Sequence, residues 1–392
     1  MERVYHIFTT LLALLVIGIA SQSCGKTPVP RGGRIIRCNV SGVATKGATM
    51  TTDNKTAGNV SIQDAGFVMN AYAESDWVDH ADNETTRSKG LYFTTGVSYN
   101  ESSTPKWRMA SEQYWLNNIS LTFWSWDKTT NGIIGTGAGK VTQPSYTLGT
   151  GKLSFSYELP AHTTANTDAA SQKDIVFAYN SEIRQFKADE NEITGGSGTS
   201  GRSDEYVDIH FYHALSEVLF AISPADGSFD KTVKIKDISI KGVKAKGDCV
   251  FTGAGGKNGF SWNLQGDAAD FTQTYNADFS GYVSTATDKS ISGWTLGTYV
   301  KDKGQSTEQT YDIYSCDEKF FMIPQTLGTD ARIMVTFIVG GVETALEQGV
   351  NGDVWNPGYY YKYKINYDAS GGPVKFSIKL VDWDPIDVPL EY

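Results

Sequence analysis

The sequence predicts an all-β protein built as β-sandwich domains, and three observations carry that reading. Only 20% of the residues are charged, while glycine (40 residues), β-branched and aromatic residues are plentiful; this is the composition of strands and turns rather than of helices. Apolar residues alternate with polar ones in many short runs, separated by clusters of Gly, Asn, Ser and Thr. The length of 392 residues exceeds the roughly 250–300 residues over which a single core grows, so two globular domains are expected. A hydrophobic fraction of 40% and an aromatic fraction of 12% can fill such cores and exclude a disordered chain. The balance of 34 basic against 44 acidic residues, a net charge of -10, lacks the basic footprint of nucleic-acid binding. No nucleic-acid partner is expected.

The first residues read as a targeting segment rather than as fold. Arg3 and His6 precede an apolar run from Leu11 to Ala20, too short to span a bilayer as a helix and followed by small residues, as in a secretory signal. Ser21-Gln22-Ser23-Cys24 then has the pattern of a bacterial lipoprotein signal, with residues 1–23 removed and the Cys24 thiol acylated. The alternative is plain secretion with Cys24 as an ordinary thiol. If Cys24 is lipidated, Cys38, Cys249 and Cys316 remain, which is neither a disulfide framework nor a metal-ligand spacing. A Cys249–Cys316 bridge is chemically open in an oxidising compartment.

Lys26 to Gly33, with Pro28 and Pro30, reads as a tether. Ile36, Cys38 and Val40 then alternate with Arg37, Asn39 and Ser41, predicting a half-buried first strand, so residues 24–46 are taken as lipidated tether plus first strand. Strands are expected at Gly66–Ala73, Leu91–Phe93, Ile119–Trp126, Leu153–Leu159 and Asp174–Tyr179. The glycine- and serine-rich stretch from Asp189 to Arg202 marks the boundary between an N-terminal sandwich (47–204) and a C-terminal one (205–392). Beyond it, Tyr206–Phe211 reads as a strand and Tyr212–Leu219 as one or two helical turns. Val233, Ile235, Ile238 and Ile240 make a strand with a slip in phase, the sign of a bulge. Lys319–Ile323, Ile333–Val339, Tyr359–Tyr367 and Val374–Leu380 complete the set. No long amphipathic helix and no βαβ alternation appears, which argues against a parallel sheet.

Motifs of catalysis are weak. Gly135-Thr136-Gly137-Ala138-Gly139-Lys140 mimics a phosphate loop, but Val141 stands where Ser or Thr must follow the lysine, and Pro144 opposes the helix. A hairpin loop is the better reading. His210 and His213 lack metalloprotease spacing; Asp208, His210 and Tyr212 share a strand face, but a packed, hydrogen-bonded His213 is preferred. Asp382, Asp384 and Asp387 lack the glycine turn and distal Glu of an EF-hand. No catalytic residue, metal site or cofactor is assigned, and no enzymatic activity is expected. The aromatic crowd of Trp107, Tyr114, Trp115, Phe123, Trp124 and Trp126 suits either a sandwich core or a sugar-stacking platform, and core is favoured. Trp355 and the face shared by Tyr359, Tyr361, Tyr363, Ile365 and Tyr367 are likewise assigned to a core.

In order along the chain, Phe67-Val68-Met69-Asn70-Ala71-Tyr72, Leu121-Thr122-Phe123-Trp124, Asp174-Ile175-Val176-Phe177-Ala178, Phe211-Tyr212-His213-Ala214-Leu215-Ser216, Ile323-Pro324-Gln325 and Trp355-Asn356-Pro357-Gly358-Tyr359-Tyr360 follow Cys24. This series resembles the fimbrillin family, the lipoprotein pilins of Bacteroidetes-type bacteria. The resemblance implies two tandem transthyretin-like β-sandwich domains and no enzyme. It implies a lipid-anchored precursor at the outer membrane and cell surface, whose partners are other fimbrial subunits, the membrane through its lipid, and host or bacterial surface ligands. It further implies proteolytic removal of the first strand and filling of the groove by a neighbour's strand. Where the family carries Thr-Arg, this chain has Thr45-Lys46-Gly47, which makes Lys46 the processing candidate and an uncleaved tip or anchor role the alternative. The C-terminal segment Val381–Val388, with Pro385, suits a sheet edge or a detachable donor. The rival functional reading is a monomeric surface lipoprotein that captures glycans.

Overall fold

A computed structural model describes residues 35–41, 62, 66–79, 85–116, 119–127, 130, 132–160, 172–184, 206–224, 233–280, 291–301, 309–368 and 375–385. Cys24, Lys46, His80, His162 and the glycine run at 195–201 lie outside these residues. In chain order the first strands are β1 (Arg37–Ser41), β2 (Phe67–Ala73), β3 (Trp77–Asp79), β4 (Thr85–Arg87), β5 (Gly90–Tyr99) and β6 (Trp107–Met109). They are followed by β7 (Ile119–Asp127), β8 (Ser145–Thr147), β9 (Lys152–Glu158), β10 (Val176–Arg184) and β11 (Tyr206–His213). Then come β12 (Ser216–Pro224), β13 (Val233–Thr252), β14 (Phe260–Asp278), β15 (Trp294–Lys301), β16 (Gln309–Cys316) and β17 (Phe320–Met322). The last are β18 (Gln325–Thr326), β19 (Arg332–Val339), β20 (Val342–Gly349), β21 (Val354–Trp355), β22 (Tyr359–Asp368) and β23 (Lys375–Pro385). The fold is all-β, as the composition predicts.

Seven strands form one sheet in the order β1-β11-β10-β7-β2-β5-β6. The apolar alternation of β2 and the run Leu121–Trp126 in β7 put these strands at its centre, since β7 buries both of its faces. One face of the sheet carries Phe67, Met69, Phe123, Val176, Val207, Ile209 and Phe211 in a core of its own. Trp124, Trp126 and Phe177 on the opposite face join a second, larger core with Leu153, Phe155 and Tyr157 of β9. That core continues between two six-stranded sheets. One runs β15-β16-β12-β22-β23 with β17 on β12, and the other runs β20-β19-β13-β9-β8 with β14 on β13.

The long β13–β14 hairpin ties the arrangement together. Along one edge, Val233–Lys241 pairs with β19 and Lys246–Thr252 pairs with β9, so a single strand serves both ends of the larger core. A register shift between Ile235 and Asp237 is the bulge that the phase slip predicts. The hairpin closes through a 3₁₀ segment, Gly253–Gly259, and lies close against β10. A Cβ on Gly253 would come within 2.0 Å of the Tyr179 ring, so only glycine allows the backbone to lie flat on that tyrosine.

Two expectations change. Tyr212–Leu219 is not helical: Tyr212 and His213 end β11, and β12 pairs with β16, β17 and β22 and is buried from Ser216 to Ser223. The short apolar run Val218–Ile222 has no period that separates helix from strand, and the neighbouring edges decide the outcome. The chain also crosses between sheets later than the glycine-rich stretch, because β11 pairs with β10 and β1, and the crossing comes at the His213–Ser216 corner. Meanwhile β8 and β9 join a sheet otherwise made of residues from Val233 onward.

The corner at Trp355 is core, as expected. Trp355 is 1% exposed and donates its Nε1–H to the Tyr363 hydroxyl at 3.1 Å, which in turn donates to Asp353 at 2.8 Å. Gly358, at φ +70, turns the chain into β22, and its N–H donates to the Leu215 carbonyl at 2.9 Å. Trp355→Ala is expected to cost about 3–5 kcal/mol, measured as the shift in chemical denaturation. A loss below about 1 kcal/mol would contradict a core role.

Candidate assembly site at the first strand

β1 is the edge strand of the seven-stranded sheet and pairs in parallel with β11, from Arg37 opposite Tyr206 to Ser41 opposite His210. Its alternation works as the sequence predicts. Ile36 is 2% exposed and Cys38 1%, and Val40 packs half-buried against the same core. In register, Cys38 lies beside Val207 and Val40 beside Ile209, both fully buried. Burial pushes the Cys38 thiol up to about 12, so it is a closed-in apolar group rather than a nucleophile.

At its start, β1 is fastened on the other side as well. The Ile36 N–H donates to the Gln113 carbonyl at 2.7 Å, and Ile35 bridges Tyr114. Beside this clasp, the segment from Ile35 to Cys38 faces Pro105, Trp107, Arg108 and Met109 across a cleft of about 410 Å³. The sheet therefore curls until its two edges approach, and β1 occupies the seam. Among the described residues the strand has a backbone ladder on one side along its length and the clasp at its start on the other, whereas β7 is paired with β10 and β2 on both sides.

The C-terminal segment is also at an edge. β23 pairs antiparallel with β22 as far as Pro385 opposite Tyr359, with a register shift near Lys362. Val381–Pro385 is thus seated in its own sheet, and residues 386–392 lie outside the described ones. Cys249 and Cys316 are buried and free, as is Cys38; the bridge left open by the sequence is not formed. The glycine motif at 135–140 is a turn, in which Gly135 N–H donates to the Val141 carbonyl and Lys140 N–H to that of Gly137. Among the described residues, no group of three or more His, Cys, Asp or Glu could hold a metal ion. Trp115, Phe123, Trp124 and Trp126 are buried, so they are core and not a sugar platform.

His213 sits at the corner between β11 and β12, packed as the sequence reading prefers. Its Nδ1 lies 2.6 Å from Asp174 Oδ2, with both side chains 3% exposed. Burial alone would lower its pKa, but the Asp174 charge and hydrogen bond, with Glu217 and Asp127 further off, outweigh that and raise it. Glu217 is itself paired with Lys319 at 2.5 Å. Elsewhere, burial raises Glu318 to about 7, with a contribution from the Asp317 charge and against a hydrogen bond from Gln273.

A sequence profile described as Fimbrillin-like matches residues 69–383. The chain belongs to this fimbrial family. Among solved structures it is similar to a fimbrial protein from Bacteroides vulgatus, with 12% identity, 90% of this chain and 99% of that one covered, and a TM-score of 0.48. Candidate cell adhesion proteins from Bacteroides ovatus (11% identity, 90% and 97% covered, TM-score 0.43) and Bacteroides uniformis (15%, 90% and 99%, 0.37) are also similar. No curated protein matches the chain in sequence.

Both His213 and Glu318 have folded-state pKa values raised above their unfolded ones. Each therefore stabilises fully below its unfolded value, near pH 6.5 for histidine and 4.3 for glutamate, and loses that contribution as pH rises through the folded value. Thermal stability should fall from pH 5 to pH 9; Glu318→Gln should flatten the lower part of the slope and His213→Gln the upper part. Stability that rises across this range, or slopes unaltered in both variants, would contradict the assignment. Separately, Cys38 should resist a thiol reagent in the native protein and react at a rate set by release of β1. Immediate modification without denaturant would show that the strand is not seated.

Proposed function

We propose that the chain is a structural or adhesive subunit of a bacterial fimbrium, exported as an outer-membrane lipoprotein with its lipid on Cys24. The observation that carries this reading is β1: an edge strand with two buried side chains completes the seam of a curled sheet, then leads toward Lys46, five residues beyond Ser41 in sequence. In this reading the chain comprises two tandem transthyretin-like sandwich domains, the division lying beyond β11, near the His213–Ser216 corner, rather than at residue 204. Removal of β1 after cleavage at Lys46 would leave the β11 edge unpaired and Val207, Ile209 and Phe211 uncovered. An alternating strand from a neighbouring subunit would restore both the ladder and the core.

The C-terminal segment is the proposed donor, and its seat on β22 means that it must peel away before it can enter another subunit. Its edge position makes that cheaper than releasing an inner strand. The family supports a non-enzymatic role at the cell surface. The partners in this reading are other fimbrial subunits and the outer membrane through the lipid, with surface ligands of host or bacterial cells as adhesive targets. A lipid at Cys24 needs more than one acyl chain for firm anchoring.

Limited trypsin treatment of the purified protein, followed by N-terminal sequencing and light scattering, tests the assembly reading. The expected outcome is cleavage after Lys46 and growth into multimers, lost when residues 381–392 are deleted. A trimmed chain that stays monomeric, or a Lys46 site that resists cleavage, would contradict it and leave an uncleaved tip or anchor role.

A further inference from the structure

A second cleft, of about 390 Å³, opens at the other side of the seven-stranded sheet, where β2, β7 and β10 meet the β8–β9 turn. Its size lies within the range of small-ligand sites. Two half-buried tyrosines, Tyr146 and Tyr179, line it. Both rings rest on the buried Trp124, at 5.6 and 4.8 Å between centroids. Tyr179 is backed by the Gly253 backbone and Tyr146 by Tyr72 at 4.9 Å. The aromatic surface is therefore fixed before any ligand arrives.

The polar lining is also set in advance. Glu74 accepts the Tyr146 hydroxyl at 2.5 Å and the Gly149 N–H at 2.7 Å, which orients its carboxylate at the rim. Burial and the Glu74 hydrogen bond push the Tyr146 hydroxyl up to about 12, keeping it a neutral donor. Among the described residues, the Lys89 ammonium forms no ion pair and the Tyr179 hydroxyl no hydrogen bond, though both line the cleft. Ser120 and Ser181 add hydroxyls.

One carboxylate and one ammonium cancel, so the cleft favours neither an anion nor a cation. Its lining is too polar for a lipid chain. Rigid rings beside several donors and acceptors match a ligand that presents C–H faces and hydroxyl edges together. We propose that this cleft binds a neutral oligosaccharide, with Tyr146 and Tyr179 as stacking surfaces and Lys89 and the Tyr179 hydroxyl as its free polar contacts. The platform differs from the buried tryptophans that the sequence brought to notice. The proposal does not rest on strand exchange, since no residue of β1 or β23 takes part.

The test is calorimetric titration of the full mature chain with lactose, cellotriose, maltotriose, mannotriose and chitotriose, each to about 20 mM, with sialyllactose as the anionic contrast. At least one neutral sugar should bind and perturb tryptophan fluorescence through Trp124. Lys89→Ala and Tyr179→Phe should each weaken that binding by roughly fivefold or more, with thermal unfolding unchanged because one is exposed and the other keeps its ring. No binding by any neutral sugar, binding unaltered in both variants, or sialyllactose binding more than about tenfold tighter than lactose would overturn the proposal. Multimer growth after trypsin, followed in the same two variants, separates the outcomes: it should be intact whether or not sugar binds.

Discussion

The open backbone edge of β11 is the constraint around which the first part of the molecule is organised. A strand with buried Val207, Ile209 and Phe211 cannot leave its outer N–H and C=O groups unpaired beside an uncovered core, because both defects cost free energy. β1 answers both at once, supplying a parallel ladder and the buried Ile36 and Cys38. On its other side the clasp to Gln113 and Tyr114 and the cleft opposite β6 both fall at its start, Ile35–Cys38. Such a strand is necessary to the core yet attached at few points, the combination that replacement by an equivalent strand requires.

Behind that seam the structure is knit more firmly. The β13–β14 hairpin spans the larger core, pairing with β19 at one end and β9 at the other. The corner between β11 and β12 is pinned by His213 and Asp174, while Ser216 donates to the Asn356 carbonyl at 2.8 Å and Gly358 to Leu215. In the proposed fimbrial role, tension between neighbours would enter at the β11 edge that β1 vacates and at β23, and be borne by the ladders between them. Buried ionic groups at the corner add little net stability over apolar ones, but loss of either partner strands a charge.

Much of this was legible in the sequence where one face of a strand is buried. Ile36-Cys38-Val40, the alternation in β9, and the phase slip at Ile235–Ile238 announce their strands because period two survives half-burial. β14 and β20 gave no such signal: long stretches of both are exposed or half-exposed on both faces, and Val342–Gly349, with its Glu, Ala and Leu, reads as readily helical. β12 was misread for the opposite reason, since both of its faces are buried and Val218–Ile222 is an unbroken apolar run. The first strand of the candidate site could be read locally, but its partner β11 lies some 170 residues away, beyond any pattern in the chain. The cleft proposed for a sugar had no signature at all, because Glu74, Lys89, Tyr146 and Tyr179 come from four separate segments and meet only through sheet order.

The central claim is that β1 is a replaceable part rather than an integral one. It is tested most directly by expressing the chain from residue 47 onward and adding a synthetic peptide of residues 35–46, with binding followed by calorimetry and by hydrogen exchange along β11. The account predicts a folded but exchange-labile β11 edge that becomes protected when the peptide binds, and no protection by a peptide with Ile36 and Cys38 replaced by Asp. A truncated chain whose β11 is already protected, or one that ignores the peptide, would contradict it.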